Sequence, residues 1–277
     1  MTSNLDAKST RTVIQDFTGV YAEQPFMQGL RKDAVQSSAG PDAKIRWIDC
    51  SDIPGTDCYC DDEAVTAIRK QIASAGITDA SGIHFFDNGN YHYMSKLWTD
   101  QVQEPFDLVA FDHHPDMQPP RFEGILSCGG WIKEVLDHNK FVQNVTVIGV
   151  ADHLVEEIRE DLTQANAAEI LNRVTFIRES ELKKHPENLS SNIYLSIDKD
   201  ALHTQEAATN WDQGSLTFEQ LANTLQILAQ NRKILGIDIC GERARDMGFE
   251  DTAAADALNN ALNEKLFHLL SELHGFQ

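Results

Sequence analysis

Two short acidic clusters hold the residues of this chain best suited to chemistry. The first, AFDHHPDMQ, contains Asp112, His113, His114, Pro115 and Asp116; the second, YLSIDKDALH, contains Asp198 and Asp200. In extended backbone, side chains at i, i+2 and i+4 point the same way. Asp112, His114 and Asp116 are therefore expected to converge on one site while His113 turns away, and Asp198 and Asp200 should share a face of their own. Carboxylates gathered like this repel one another unless a compensating charge sits among them. A divalent cation supplies that charge. Carboxylate-rich sites suit hard or borderline ions such as manganese, and paired ions roughly 3.5–4 Å apart are a common hydrolytic arrangement. Aspartate and histidine at strand ends also cap helices or solvate loops. Two such clusters, each directly behind an apolar strand, favour the metal.

The elements that must position these clusters are legible as alternating patterns. Strands are expected at 12–17, 44–50, 83–87, 107–112, 145–151, 173–177, 192–198 and 234–240. Helices are expected at 62–76, 92–102, 131–139, 154–172, 217–231 and near 251–274. Several strands are nearly continuous apolar runs, as strands covered on both faces must be. Strand–helix alternation implies βαβ units and an α/β fold around a mostly parallel sheet of about eight strands. The whole chain, 1–277, reads as one large α/β domain. In open parallel sheets ligands bind beyond the carboxyl ends of the strands, and both clusters fall there.

Composition narrows the function classes. The chain is 42% hydrophobic and 24% charged, the mix of a soluble globular protein. Its net charge of −20 repels phosphate backbones and anionic lipid, so neither nucleic acid nor membrane is an expected partner. The same acidity suits cationic small molecules. No apolar run approaches the roughly 20 residues of a membrane span. The N-terminus, MTSNLDAKSTRTVIQDF, has no basic region followed by an apolar one, so the expected location is cytoplasmic. Five cysteines, an odd count without an export signal, argue against a disulfide framework. Cys58 and Cys60 sit in DCYC, which is neither a CxxC redox motif nor a zinc knuckle.

The sequence resembles the ureohydrolase family of arginases, agmatinases and formimidoylglutamases. The family's Asp-x-His-x-Asp motif is matched by Asp112, His114 and Asp116, and its Ser-x-Asp-x-Asp motif by Ser196, Asp198 and Asp200. GNYHY (89–93) stands where the family has a glycine-rich loop ending in a histidine ligand, which makes His92 the matching residue. GSLT (214–217) is similar to the family's Gly-Gly-Leu-Thr turn before a helix. The matches run in order from about residue 80 to 240.

The resemblance implies a three-layer arginase-like fold, a homo-oligomer and two Mn2+ ions per chain, with other divalent ions as substitutes. It implies that Asp112 and Asp198 bridge the ions, that His92 and Asp116 complete one shell, and that His114 and Asp200 complete the other. A metal-bridging hydroxide would then attack the carbon of a linear amidine or guanidino substrate and break a C–N bond, with Asp116 orienting it.

Three departures touch the substrate side. His203 stands where the family has a further aspartate. The loop ILSCGGWI (125–132) puts Ser127 or Cys128 where many members have a proton-shuttling histidine. Glu242 is the nearest match to the glutamate that grips a guanidinium, displaced by about a residue, and Arg243 and Arg245 beside it would suit an acidic substrate tail. A small guanidino or amidine compound other than arginine is the expected substrate. The alternatives are a deacetylase-like amide hydrolase with a single metal and a non-catalytic protein that kept the metal site.

Overall fold

A computed structural model describes residues 10–37, 43–119, 124–245 and 252–274. Residues 1–9, where no export signal was read, lie outside the described residues. The strands are β1 (Thr12–Asp16), β2 (Ile45–Asp49), β3 (Tyr59–Cys60), β4 (Ile83–Phe85), β5 (Phe106–Phe111), β6 (Leu126–Ser127), β7 (Val142–Val150), β8 (Val174–Arg178), β9 (Asn192–Asp198) and β10 (Lys233–Cys240). The helices are α1 (Pro25–Ser37), α2 (Asp62–Ser74), α3 (Met94–Thr99), α4 (Trp131–His138), α5 (Asp152–Gln164), α6 (Phe218–Ala229) and α7 (Thr252–His274).

Eight strands form one sheet in the order β2-β1-β4-β10-β9-β5-β7-β8, and every pairing in it is parallel. β3 and β6 make a separate two-residue antiparallel ladder. Strand side chains alternate between two apolar layers. In β5, Phe106, Leu108 and Ala110 enter one layer with residues of α2, α3, α4 and α5; Val109 and Phe111 enter the other with residues of α1, α6 and α7. This is a three-layer α/β architecture, and burial on both faces explains the unbroken apolar strand runs.

The fold departs from the sequence expectation in a few elements. Helix α1 was not anticipated; it opens with Pro25 and buries Met27, Leu30 and Ala34. Proline suits a first helical turn because the missing N–H would be unpaired there anyway. The helix expected to run to 172 ends at Gln164, where Asn166 takes a left-handed conformation with φ 54°, and a 3-10 turn covers Ala168–Arg173. The helix expected from 92 begins at Met94, after a 3-10 turn over Gly89–Tyr91. Thr217 of GSLT caps α6 through a reciprocal pair of bonds with Gln220.

Candidate metal centre

Four neighbouring strands, β4, β10, β9 and β5, aim their carboxyl ends at one place. Phe111 pairs with Ile197, so Asp112, just past β5, and Asp198, the last residue of β9, stand side by side at the carboxyl edge of the sheet. Asp198 caps a short 3-10 turn (Lys199–Ala201), its Oδ1 accepting from the Asp200 N–H at 2.9 Å. That turn brings the Asp200 carboxylate to the same side while Lys199 is buried elsewhere.

His92 arrives from the turn after β4. Its Nδ1 lies 3.3 Å from Asp112 Oδ2, 3.0 Å from Asp116 Oδ2 and 3.2 Å from Asp198 Oδ2. On its far side Nε2 is 3.0 Å from Ser196 Oγ, itself 2.9 Å from Ser95 Oγ. This hydroxyl pair holds the ring with Nδ1 toward the carboxylates. The serine of the Ser-x-Asp-x-Asp motif therefore positions a histidine from the turn after β4. His114 faces a second group, its Nδ1 3.0 Å from Asp200 Oδ2 and 3.5 Å from Asp112 Oδ1. Its Nε2 lies 3.1 Å from Asp212 Oδ1.

Asp116 reaches the site by a different route from the one expected. Strand β5 ends at Phe111, and Asp116 has a left-handed φ of 46°, so the loop is not extended through the motif. Its carboxylate is held by the indole N–H of Trp131, which donates to Oδ2 at 2.7 Å.

The potential ligand atoms fall into overlapping groups: His92 with Asp112 and Asp116, Asp112 with His114 and Asp200, and His92 with Asp198 and Cys240. Asp112 is common to the first two. Its Oδ2 is buried and accepts no hydrogen bond, which is costly for an oxygen without a partner. All four carboxylates are buried. Burial and the neighbouring Asp112 push Asp116 up to about 7. Burial, Asp198 and Asp112 hold Asp200 well above the usual carboxylate range. Burial alone would lower His92, but Cys240, Asp112 and Asp116 raise it well above its ordinary value. Burial would likewise raise Asp112, yet His114 and His92 hold it far below. Carboxylates and imidazoles crowded and buried in this way fit a divalent-cation site.

The ligand groups form the floor of a cavity of about 320 Å³. Tyr59, Leu154, Ile158 and Trp211 supply apolar and aromatic wall, and Glu157 and Asp161 of α5 line it as well. Among the described residues, no lysine or arginine lines it.

Glu242 is not brought to this cavity. Its carboxylate is fully buried in an ion pair with Lys199 and accepts from Gln24 Nε2 at 2.9 Å, Asn259 Nδ2 at 2.8 Å and Asn263 Nδ2 at 2.7 Å. The position before it is Gly241, with φ 89°, where a Cβ would lie 2.2 Å from Asp198 Oδ1. That backbone passes too close to Asp198 to carry a side chain, so the expected gripping carboxylate is absent there. Arg243 is paired with buried Asp256, and Arg245 donates to the Gly19 carbonyl; neither lines the cavity. His203 Nδ1 accepts from the Gln205 N–H and also lies off the cavity. Ser127 and Cys128 do line it. His113 packs against Gly214, which a Cβ would bring to 3.0 Å from its Nδ1, and belongs to none of the ligand groups. Sequence reasoning missed Cys240, whose thiol donates to Asp198 Oδ2 at 3.1 Å. Its one signal was its place at the end of an apolar strand beside the two that deliver the aspartates.

Residues 27–255 match the Arginase family. An uncharacterized protein of Thermotoga maritima is 30% identical over 230 residues, 83% of this chain and 78% of that protein. The fold is similar to that of the agmatine ureohydrolase of Thermoplasma volcanium, with a TM-score of 0.62 at 15% identity over 98% of this chain and 92% of that one. It is also similar to a Trypanosoma cruzi formiminoglutamase variant with Mn2+, with a TM-score of 0.60 at 10% identity over 98% and 96% of the two chains. An all-parallel eight-stranded sheet with clustered aspartates and histidines beyond its carboxyl edge defines a ureohydrolase-like α/β protein. The chain belongs to the arginase family.

Proposed function

We propose that this protein is a two-metal hydrolase that cleaves a C–N bond of a linear amidine or guanidino compound whose far end is cationic or neutral. The observation that carries this reading is Asp112, shared between the His92–Asp116 group and the His114–Asp200 group. One carboxylate spanning two ligand sets is what a pair of ions requires, and a single-metal site has no use for the second set. His92, Asp112, Asp116 and Asp198 would hold one ion, and Asp112, His114, Asp198 and Asp200 the other. Manganese fits the oxygen-rich donors. When bound, such a pair supplies Lewis acidity and lowers the pKa of water, the chemistry that amidine hydrolysis needs.

The chain's own residues account for the rest. Trp131 fixes Asp116 at the cavity floor, where its carboxyl can carry a proton to the departing amine. Trp211 and Tyr59 put aromatic side chains in the lining, a surface suited to a flat cation. Glu157 and Asp161 attract positive charge, and among the described residues no lysine or arginine lines the cavity to pair with a carboxylate tail. Arginine and formimidoylglutamate both carry such a tail. We further propose a cytoplasmic homo-oligomer built from a single domain spanning the chain.

The test is a panel of arginine, agmatine, formimidoylglutamate and guanidinobutyrate with manganese-loaded protein, scored for urea, ammonia or formamide, beside Asp116→Asn. Turnover of a cationic or neutral-tailed member that Asp116→Asn abolishes is expected. Fast arginine cleavage overturns the tail assignment. No turnover of any member with both ions bound overturns the hydrolase reading.

A further inference from the structure

Cys58 and Cys128 are far apart in the chain and meet at the mouth of the cavity. The β3–β6 ladder pairs Tyr59 with Ser127 and Cys60 with Leu126, so its next step sets Cys58 opposite Cys128. The Cys128 N–H donates to the Cys58 carbonyl at 2.9 Å, which extends the ladder to that pair. Residues directly opposite in antiparallel strands have Cα atoms roughly 4.5–5.5 Å apart, inside the roughly 4.4–6.8 Å span of a disulfide. The two thiols also contact each other.

Both cysteines line the cavity and are half-buried, whereas Cys50, Cys60 and Cys240 are buried. Cys60 alternates to the other side of its strand and packs in the core. Cys58 has a left-handed φ of 58°, which glycine or asparagine would adopt at less cost. From Cys128 the chain runs directly to the groups that hold the metal-site loop. Gly129 accepts from the Gln118 N–H at 2.9 Å, Trp131 binds the Asp116 carboxylate, and the Ile132 N–H donates to the Asp116 carbonyl at 3.0 Å.

We propose that Cys58 and Cys128 form a reversible dithiol–disulfide pair, oxidised by exchange with small-molecule disulfides, that ties the two sides of the cavity mouth together. One thiolate attacks the small disulfide RSSR, forming a mixed disulfide and releasing one RSH. The second thiolate then attacks the protein sulfur of that mixed disulfide and releases a second RSH. Two thiols are thereby oxidised, RSSR is reduced by two electrons, and the two protons leave with the RSH molecules. A half-exposed bond on a left-handed corner belongs with the labile disulfides, not with the structural ones.

The experiment is equilibration of manganese-loaded protein in buffers of oxidised and reduced glutathione, followed by alkylation of free thiols and peptide mass mapping. The expected result is a peptide linking Cys58 to Cys128, an intact mass lower by two hydrogens, and full reversal in excess reduced glutathione. Cys58→Ser should carry a glutathione adduct on Cys128, and Cys128→Ser one on Cys58. Free Cys58 and Cys128 throughout the series overturn the proposal. So does a link to any other cysteine, or a link that forms only after denaturation.

Discussion

The Cys240 Sγ donates to Asp198 Oδ2 at 3.1 Å; Asp198 lines the cavity, whereas Cys240 is buried behind it. Asp198 is one of the two aspartates proposed to span the ions, so its orientation depends on a thiol that no motif announces. Partners that orient a ligand typically change metal affinity by roughly 10–100-fold when removed. Cys240→Ser keeps a donor and should bind manganese close to wild type. Cys240→Ala should bind it about 10-fold more weakly. Competition against a fluorescent chelator measures both, and equal affinity in all three proteins contradicts the orienting role.

His113 and His114 are adjacent and should behave oppositely. His114 Nδ1 sits 3.0 Å from Asp200 Oδ2, whereas His113 packs against Gly214. His114→Ala should lose one ion or bind it roughly 10-fold more weakly. His113→Ala should keep both ions and lose only packing. Metal analysis of the two variants decides, and equal loss would show that His113 reaches the ions.

Metal binding should release protons. Asp116 is pushed up to about 7, and Asp200, His92 and His114 are all held above their ordinary values. In the metal-free protein these groups keep protons at neutral pH, and ligands must shed them to bind. Manganese affinity should therefore rise as pH climbs through 7, and calorimetry in buffers of different ionisation enthalpy should register proton release. Groups with raised folded-state values stabilise the fold at lower pH and lose that contribution as pH rises through those values. The stripped protein should accordingly become less stable between roughly pH 6 and 8. At neutral pH, saturating manganese should raise its melting temperature by about 5–10 °C. A pH-independent affinity without proton release would contradict the protonated cluster.

Much of the site was legible because it obeys strand rules. Asp198 ends an apolar strand, Asp112 directly follows one, and their side-by-side placement follows from parallel pairing of β5 with β9. Period-two spacing gave the right side for Asp116 for the wrong reason, since the loop leaves extended geometry and Trp131 holds the carboxylate. Glu242 was misread because its burial depends on Gln24, Asn259 and Asn263, partners that local spacing cannot reveal. Cys240 reads as an ordinary small core residue at the end of its strand. The β3–β6 ladder has two residues per strand, too few for any periodicity.

Glu242 should prove structural. Removing one partner of a buried ion pair typically costs about 3–5 kcal/mol because the other charge is left uncompensated. Glu242→Ala strands Lys199 and should lower stability by that order, with the soluble fraction still binding manganese. Lys199→Met in the same chain should recover part of the loss. Denaturant unfolding measures it, and an unchanged midpoint in Glu242→Ala would contradict the burial.

Asp112 is proposed to be shared by two ions in one chain. Manganese analysis of stripped and reconstituted protein, read together with its electron paramagnetic resonance spectrum, tests this most directly. About two ions per chain, an exchange-coupled manganese signal, and loss of that coupling in Asp112→Ala are expected. One ion per chain with an uncoupled signal, or unchanged metal content in an Asp112→Ala, Asp198→Ala double variant, would contradict it.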